Sequence, residues 1–361
     1  MRFCAIEYQT KSDKIWRPTK DKPNYLSDPD KEIDPTSFGC WTSALAGEHI
    51  PLSYFEGDKP FIVKLNRKLF KEKRGFKNLR YLERFDTILI LIHDFSIVPL
   101  AKFLKAARRK YPNKKYLGSI VHPLERLRLA WKDSKVFYNF FYLLNNVDHW
   151  ISVNKDAQDY LAAMSFNKNK IIYLPQFYPF DFAKQAFTKL ENKERKIFVA
   201  GDMERPDNLY GQFIASHLQT KFPDYQIVIT ANGDSNLWPL RLTKARFEVI
   251  APEPWQKHLD RLRKFYLVIN TDASFTLGRV QSDCAICGTP SIGLNSNNQR
   301  EFFPELSFDD IFEVNKMLSA GERLIADKDF YLKTQSYAFS KIKESSYKNS
   351  LALVKKLLNL K

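Results

Sequence analysis

Cysteine is scarce in this sequence, and long apolar segments are lacking. Four cysteines among 361 residues are too few for a disulfide framework, so a reducing compartment is expected. The longest apolar run, Thr87 to Ile92, has the length of a strand and is far too short to span a membrane. The first residues, MRFCAIEYQT, lack the basic and apolar regions of a signal peptide. We therefore predict a cytoplasmic protein, or one peripheral to the inner face of the membrane.

Glycine is also lacking where a nucleotide-binding domain often has it. The first predicted strand, Arg2 to Tyr8, is followed by a polar, proline-containing insertion, Gln9 to Thr36, instead of a glycine-rich turn. Further along, apolar runs of strand length alternate with helical patterns, which is typical of parallel α/β sheets. Among them we predict a strand at Pro51 to Phe55 and helices at Lys64 to Arg84 and Leu124 to Asn146. The length and the 44% hydrophobic content allow two domains with separate cores. We predict domains at 1–180 and 196–340, and a terminal helix within 341–361.

The charge is strongly basic and unevenly distributed. The net charge is +16, and residues 1–180 hold 31 basic against 19 acidic side chains, a net of +12. Two segments, Lys64 to Arg84 and Lys102 to Lys135, concentrate the excess. Ordinary solvated helix faces can look the same. Because both segments lie in one predicted domain, we expect a polyanionic partner there, either nucleic acid or an anionic membrane.

The most informative stretch is Ser274 to Gly293, which follows the apolar run Tyr266 to Asn270. Its pattern predicts a strand, a turn, a short helix and a second strand, one β-α-β step of a parallel sheet. Gly278 would let the backbone approach a ligand, and Arg279 could bind a phosphate beside the free N–H groups that begin the helix. The alternative is an ordinary helix–strand connection with a solvated arginine.

The turn and helix resemble the donor-nucleotide motif of GT-B glycosyltransferases. The resemblance is carried by Gly278, by Asp283 and by the run Gly288-Thr289-Pro290, whereas Phe275 stands where the retaining branch has its first glutamate. It implies two Rossmann-like domains with a cleft between them and a last helix that crosses back to the first domain. It also implies a hexosyl- or pentosyltransferase that uses a nucleotide-diphosphate sugar, with a UDP-sugar favoured and no obligatory metal.

A second, shorter match lies in the run Thr276 to Val280, TLGRV. It is similar to a run in the phage β-glucosyltransferases that modify hydroxymethylcytosine in DNA, with one additional glycine. This similarity and the basic first domain favour a hydroxymethylated DNA base as the acceptor. The alternative acceptor is a lipid-linked or surface glycan built at the membrane. A third hypothesis is a degenerate GT-B domain that only binds its ligand.

The GT-B resemblance assigns roles to individual residues. Gly201 closes the first strand of the second domain, and Arg205 in the loop after it is expected to bind phosphate with Arg279, although Arg205 could instead pair with Glu204. Asp283, at the predicted start of the helix, is the expected ribose ligand. Acceptor activation needs a base at the strand ends of the first domain. The candidates there are His93, Asp94 and His122, of which we predict His122 or Asp94 for this role.

Overall fold

The computed structural model describes residues 2–8, 15, 42, 45, 47–56, 76–120, 132–174, 177–201, 207–231, 237–273, 279–296 and 298–357. The chain divides into two compact units. The first contains Met1–Phe177 together with Leu351–Lys361, and the second contains Tyr178–Ser350. The domain boundaries predicted from the sequence, 1–180 and 196–340, remain predictions.

The first unit is built on a six-stranded sheet in which every strand pairs in parallel with its neighbours. In space the strands follow the order β2-β1-β3-β4-β5-β6. Their bounds are β1 Phe3–Glu7, β2 Glu48–Pro51, β3 Thr87–Ile92, β4 Lys115–Ile120, β5 His149–Ser152 and β6 Ile171–Tyr173.

Four described helices belong to this unit: α1 Leu52–Glu56, α2 Ile97–Lys110, α3 Ser134–Asn146 and α4 Lys155–Met164. The buried side chains of α2 recur every three or four residues, as an amphipathic helix requires: Ile97, Leu100, Ala101, Phe103, Leu104 and Ala107. At the start of α4, the Asn154 side chain accepts a hydrogen bond from the Ala157 N–H, which satisfies one of the free donors there.

The second unit has its own six-stranded parallel sheet, in the order β12-β11-β10-β7-β8-β9. Its strands are β7 Glu194–Val199, β8 Gln226–Thr230, β9 Phe247–Ile250, β10 Phe265–Asn270, β11 Ser291–Leu294 and β12 Ser307–Phe308. Read from β9, this is the 3-2-1-4-5-6 order of the dinucleotide-binding fold. The described helices are α5 Phe180–Ala183, α6 Asp207–Lys221, α7 Trp238–Leu242, α8 Trp255–Leu262, α9 Arg279–Cys287, α10 Gln299–Phe302, α11 Val314–Ala326, α12 Lys328–Glu344 and α13 Tyr347–Leu357, the last of which passes the division at Ser350.

Several predicted elements differ from the structure. The segment Pro51 to Phe55 was expected to be a strand, but β2 ends at Pro51 and α1 follows, because Leu52 and Phe55 are both buried at the three-residue spacing of a helix. The predicted helix Leu124 to Asn146 does not run through Asp133, whose extended backbone begins α3 at Ser134. Of the predicted helix Lys64 to Arg84, the part before residue 76 lies outside the described residues, and Leu79–Arg84 forms a 3-10 helix.

Candidate functional site

The second sheet has a topological switch point between β7 and β10. From β7 the chain continues to β8 and β9 on one side, and from β10 it continues to β11 and β12 on the other. The two strands end side by side, as shown by the 2.9 Å hydrogen bond from the Ala200 N–H to the Ile269 carbonyl. Ligands of open α/β sheets bind outside the strand ends at such a point.

Gly201 lies at this switch point, directly after β7. Its φ of +107° is a backbone conformation that residues with a side chain rarely adopt. A Cβ atom there would approach the buried side chain of Asn208, in the first turn of α6, to 2.7 Å. Glycine is therefore required for the tight turn into the following loop. Arg205 and Gly278, the other residues predicted from the two loops, lie outside the described residues.

Arg279 is the first described residue of α9, on the opposite side of the switch point. Its side chain is about half exposed, at 47%. A helix N-terminus carries unpaired N–H groups and a partial positive charge, which favour a bound anion. The structure thus places one predicted phosphate ligand, Arg279, and the predicted turn glycine, Gly201, after neighbouring strands of one sheet.

Asp283 was expected at the start of the helix, and the structure places it one turn further in, four residues after Arg279. It is 1% exposed. Its Oδ1 accepts hydrogen bonds from the Tyr178 hydroxyl at 2.6 Å and from Trp255 Nε1 at 3.0 Å. None of the described residues donates a hydrogen bond to its Oδ2, which lies 3.9 Å from Arg279 Nε. The role of Asp283 as a ribose ligand remains a prediction.

Tyr178 and Trp255 are residues that the sequence did not reveal as part of this site. Burial is the largest cause that raises the pKa of Tyr178 well above its usual value, and the charge of Asp283 adds to it. The phenol therefore keeps its proton and remains a donor to the carboxylate. Cys284 and Cys287 form a C-x-x-C pair in the sequence, and both are completely buried in α9, as packing residues are.

The first sheet also has a switch point, between β1 and β3, because β2 and β4 lie on opposite sides of that pair. Glu7 ends β1, and His93 follows the last residue of β3. Glu7 Oε1 and His93 Nε2 are 2.5 Å apart, and Glu7 Oε2 lies 2.9 Å from Nε2 of His49 in β2. All three side chains are buried. We refer to these three residues as the Glu7–histidine cluster.

Glu7 is ionised in this environment. Burial alone would raise the pKa of Glu7, but the hydrogen bonds from His49 and His93 outweigh that effect and lower it to about 2. Phe95 stacks on the His93 ring, with centroids 5.0 Å apart. Asp94, a predicted catalytic residue, lies between these two residues in the sequence, and its side chain accepts a 2.8 Å hydrogen bond from the Phe95 N–H. His122, the other predicted base, lies outside the described residues.

Glu7 was missed because its partners are distant in sequence. The only local signal is that an acidic residue ends the buried strand FCAIE.

Within the described residues, no group of three or more histidine, cysteine or acidic side chains is arranged to hold a metal ion.

Comparisons with known proteins agree on the fold. No protein-family model matches the chain, and no curated protein matches it significantly. Among solved structures, it is similar to HepE from Anabaena in complex with UDP, with a TM-score of 0.66 at 12% identity over 99% of this chain and 100% of HepE. It is also similar to the trehalose-6-phosphate synthase OtsA, with a TM-score of 0.63 at 10% identity over the whole of both chains.

A third similar structure is the sucrose-phosphate synthase of Thermosynechococcus elongatus, with a TM-score of 0.60 at 16% identity over 87% of this chain and 83% of that one. The two parallel six-stranded sheets with their helices therefore have the GT-B fold, which confirms the predicted fold class. The weaker resemblance to phage DNA β-glucosyltransferases remains a prediction.

Proposed function

We propose that this protein is a glycosyltransferase that moves a sugar from a nucleotide-diphosphate sugar, most simply a UDP-sugar, to a hydroxyl group. The observation that carries the proposal is the switch point of the second sheet, where Gly201 and the helix N-terminus at Arg279 follow adjacent strands. Similarity to HepE with bound UDP and to two sugar-phosphate synthases supports the same chemistry.

In the proposed reaction, the bond between the anomeric carbon and the diphosphate oxygen breaks while a bond to the acceptor oxygen forms. The leaving diphosphate gains negative charge, which Arg279, Arg205 and the α9 N-terminus would stabilise. Gly201 and Gly278 would let the backbone approach the nucleotide, and Asp283 would accept from a ribose hydroxyl. These cations and N–H groups can stabilise the leaving group without an obligatory metal.

The acceptor hydroxyl must lose a proton, and the Glu7–histidine cluster offers a base for it. Glu7 holds Nε2 of His93, and the imidazole paired with this carboxylate would take the proton of the acceptor. The Glu7 carboxylate would then stabilise the imidazolium that forms, as carboxylates do in catalytic histidine pairs. Asp94 and His122 remain proposed alternatives for this role, because both follow strands of the same sheet.

The acceptor predicted from sequence is a hydroxymethylated base in DNA. The exposed cations Arg109 and Lys110 lie in the last turn of α2, just before the amino end of β4. The helix has 14 residues and is therefore about 21 Å long, so these cations are far from the strand ends that carry Glu7 and His93. Among the described residues, they offer DNA no continuous path to the proposed base.

A second candidate is an acceptor presented at an anionic membrane. Phe166 and Tyr138 are 82% and 69% exposed, and the Phe166 ring packs edge-on against Phe141 of α3 at 4.9 Å. Exposed lysines flank these aromatic side chains in the sequence, namely Lys132, Lys135 and Lys168. Exposed aromatic groups beside cations suit the interface of an anionic bilayer. No described helix is both long and apolar enough to cross a membrane.

Binding and turnover of donor sugars test the proposal directly. We expect one sugar nucleotide from a panel of UDP-, ADP- and GDP-sugars to raise the melting temperature and to be slowly hydrolysed. Arg279→Ala should weaken binding of the corresponding nucleotide diphosphate by about 1.5–3 kcal/mol, the value of a charge-assisted hydrogen bond. Lys257→Ala, an exposed cation of α8, is the matched control and should bind normally. If no sugar nucleotide stabilises the wild type, the proposal is wrong.

A further inference from the structure

The two carboxylate oxygens of Asp283 have very different surroundings. Two donors, the Tyr178 hydroxyl and Trp255 Nε1, converge on Oδ1, whereas the buried Oδ2 accepts no hydrogen bond from the described part of the chain. A buried carboxylate oxygen without a donor is costly, because it has lost its contact with water. Such an arrangement is stabilised when a positive charge lies nearby. Arg279 Nε, at 3.9 Å from Oδ2, supplies that charge.

The two donors are themselves firmly positioned within the second unit. Tyr178 is fully buried, and its N–H donates to the Ser345 carbonyl at 2.9 Å. Trp255 is the first residue of α8, and its indole stacks on Phe182 with an interplanar angle of 21°. The Tyr178 ring also packs edge-on against Trp255, with centroids 6.4 Å apart, so rotation of either ring would break an aromatic contact. The carboxylate plane of Asp283 is therefore fixed from the protein side.

A fixed carboxylate restricts the arginine one turn before it. Asp283 and Arg279 are four residues apart in α9, so their side chains lie on the same face of the helix. The ion pair is partly shielded from water, which makes it stronger than a fully exposed pair. The remainder of the guanidinium is exposed at the helix N-terminus, where the proposed nucleotide diphosphate would bind.

We propose that Tyr178 and Trp255 are positioning residues for the donor: by holding Oδ1 of Asp283 they direct Oδ2 at Arg279 and so pre-orient its guanidinium for the diphosphate. The inference rests on the proposed function, since it gives these residues a role in binding the same donor. Neither aromatic residue need touch the ligand. Their effect on affinity passes through Asp283, and we infer that it continues through Arg279 and the diphosphate rather than through the ribose contact also proposed for Asp283.

Double-mutant cycles with UDP as the probe test this route, with ADP and GDP measured in parallel by titration calorimetry. Tyr178→Phe and Trp255→Phe each remove one donor and keep an aromatic ring. We expect each to weaken binding of the preferred nucleotide by roughly three- to tenfold. In the Arg279→Ala background, neither substitution should cause a further loss, because the interaction they support is already gone.

Tyr331→Phe is the matched control. Tyr331 is also fully buried in the second unit, and its hydroxyl donates one 2.7 Å hydrogen bond, to the Tyr266 carbonyl. Its loss should lower the melting temperature and leave nucleotide affinity unchanged. If wild type and Tyr178→Phe bind the nucleotide with equal affinity, or if the losses of affinity caused by the two aromatic substitutions add fully to that of Arg279→Ala, this inference is wrong while the proposed function stands. If wild type binds none of the three nucleotides, the proposed function fails and the inference with it.

Discussion

At the scale of single residues, Glu7 is a buried acidic group whose two carboxylate oxygens are both held by histidines. Its pKa is lowered from 4.5 to about 2, because the bonds from His49 and His93 outweigh the cost of burial. A folded-state pKa below the unfolded value stabilises the fold at pH values above the unfolded pKa. This stabilisation is lost as the pH falls from about 4.5 towards 2. Acid should therefore weaken the first unit through Glu7.

Glu7→Gln removes the charge with little change in shape. The amide cannot accept from both histidines through two oxygens, so we expect the free energy of unfolding at pH 7 to fall by about 2–3 kcal/mol. The acid sensitivity between pH 4.5 and pH 2 should also decrease. If His93 is the base, kcat should drop at least about tenfold, while UDP affinity is unchanged. Urea denaturation and steady-state kinetics measure these effects.

Glu48→Gln is a suitable control for Glu7. Glu48 is the first residue of β2 and so lies at the amino ends of the strands, whereas Glu7 lies at their carboxyl ends. Glu48 accepts a 2.7 Å hydrogen bond from the Tyr81 hydroxyl. Its variant should lose some stability and keep its kcat. A Glu7→Gln enzyme with the wild-type kcat would show that the Glu7–histidine cluster only stabilises the fold, and would leave Asp94 and His122 as the candidate bases.

At the scale of the elements, Lys193 joins the carboxyl ends of two helices. Its Nζ donates to the carbonyls of Arg263, just after α8, and of Cys287, the last residue of α9, at 2.8 and 3.0 Å. It also donates to Thr289 Oγ1 at 2.7 Å. The last carbonyls of a helix have no partner within the helix, and the Lys193 amine satisfies them here. Lys193 thus fixes the far end of the helix that begins with Arg279.

Burial lowers the pKa of Lys193 to about 7, from 10.5. Between these values the unfolded chain binds more protons than the folded one, so this residue adds stability as the pH rises from 7 towards 10.5. Lys193→Met should destabilise the protein by about 1–3 kcal/mol at pH 8, because the carbonyls and the hydroxyl lose their donor. The difference from wild type should be larger at pH 9 than at pH 6.

Urea titrations of both proteins at the two pH values measure that difference, and other titrating groups cancel in the comparison. Lys257→Met provides a control at an exposed lysine and should show no pH-dependent difference. An equal loss at pH 6 and pH 9 for Lys193→Met would mean that Lys193 stays protonated throughout this range.

The elements also show how far sequence reasoning reaches. Continuous apolar runs such as TILILI in β3 and YLVIN in β10 predict buried parallel strands, because both faces of such a strand are covered by helices. Arg279 could be placed at a helix start from its glycine and the following pattern. Pairs that depend on strand order could not be predicted: Glu7 and His93 are 86 residues apart, and Tyr178 and Asp283 are 105 apart.

At the scale of the whole molecule, the charge is concentrated in one half of the chain. Residues 1–180 carry +12 of the total +16, and this half also holds Phe166, the most exposed of the described phenylalanines. Each lysine near an anionic membrane surface contributes about 1 kcal/mol to binding. Inserting a phenylalanine side chain adds a further 1.5–3 kcal/mol or so. Together these terms support the proposal that the acceptor is presented at an anionic membrane.

Phe166→Ser should therefore reduce binding to phosphatidylglycerol vesicles by roughly tenfold or more in sedimentation assays. Phe312→Ser is the matched control, because Phe312 is 76% exposed but belongs to the second, less basic unit. It should bind vesicles like wild type, and neither substitution should alter UDP affinity. If Phe166→Ser sediments with vesicles like wild type, and wild type instead binds duplex DNA with a steep salt dependence, the DNA acceptor predicted from sequence regains support.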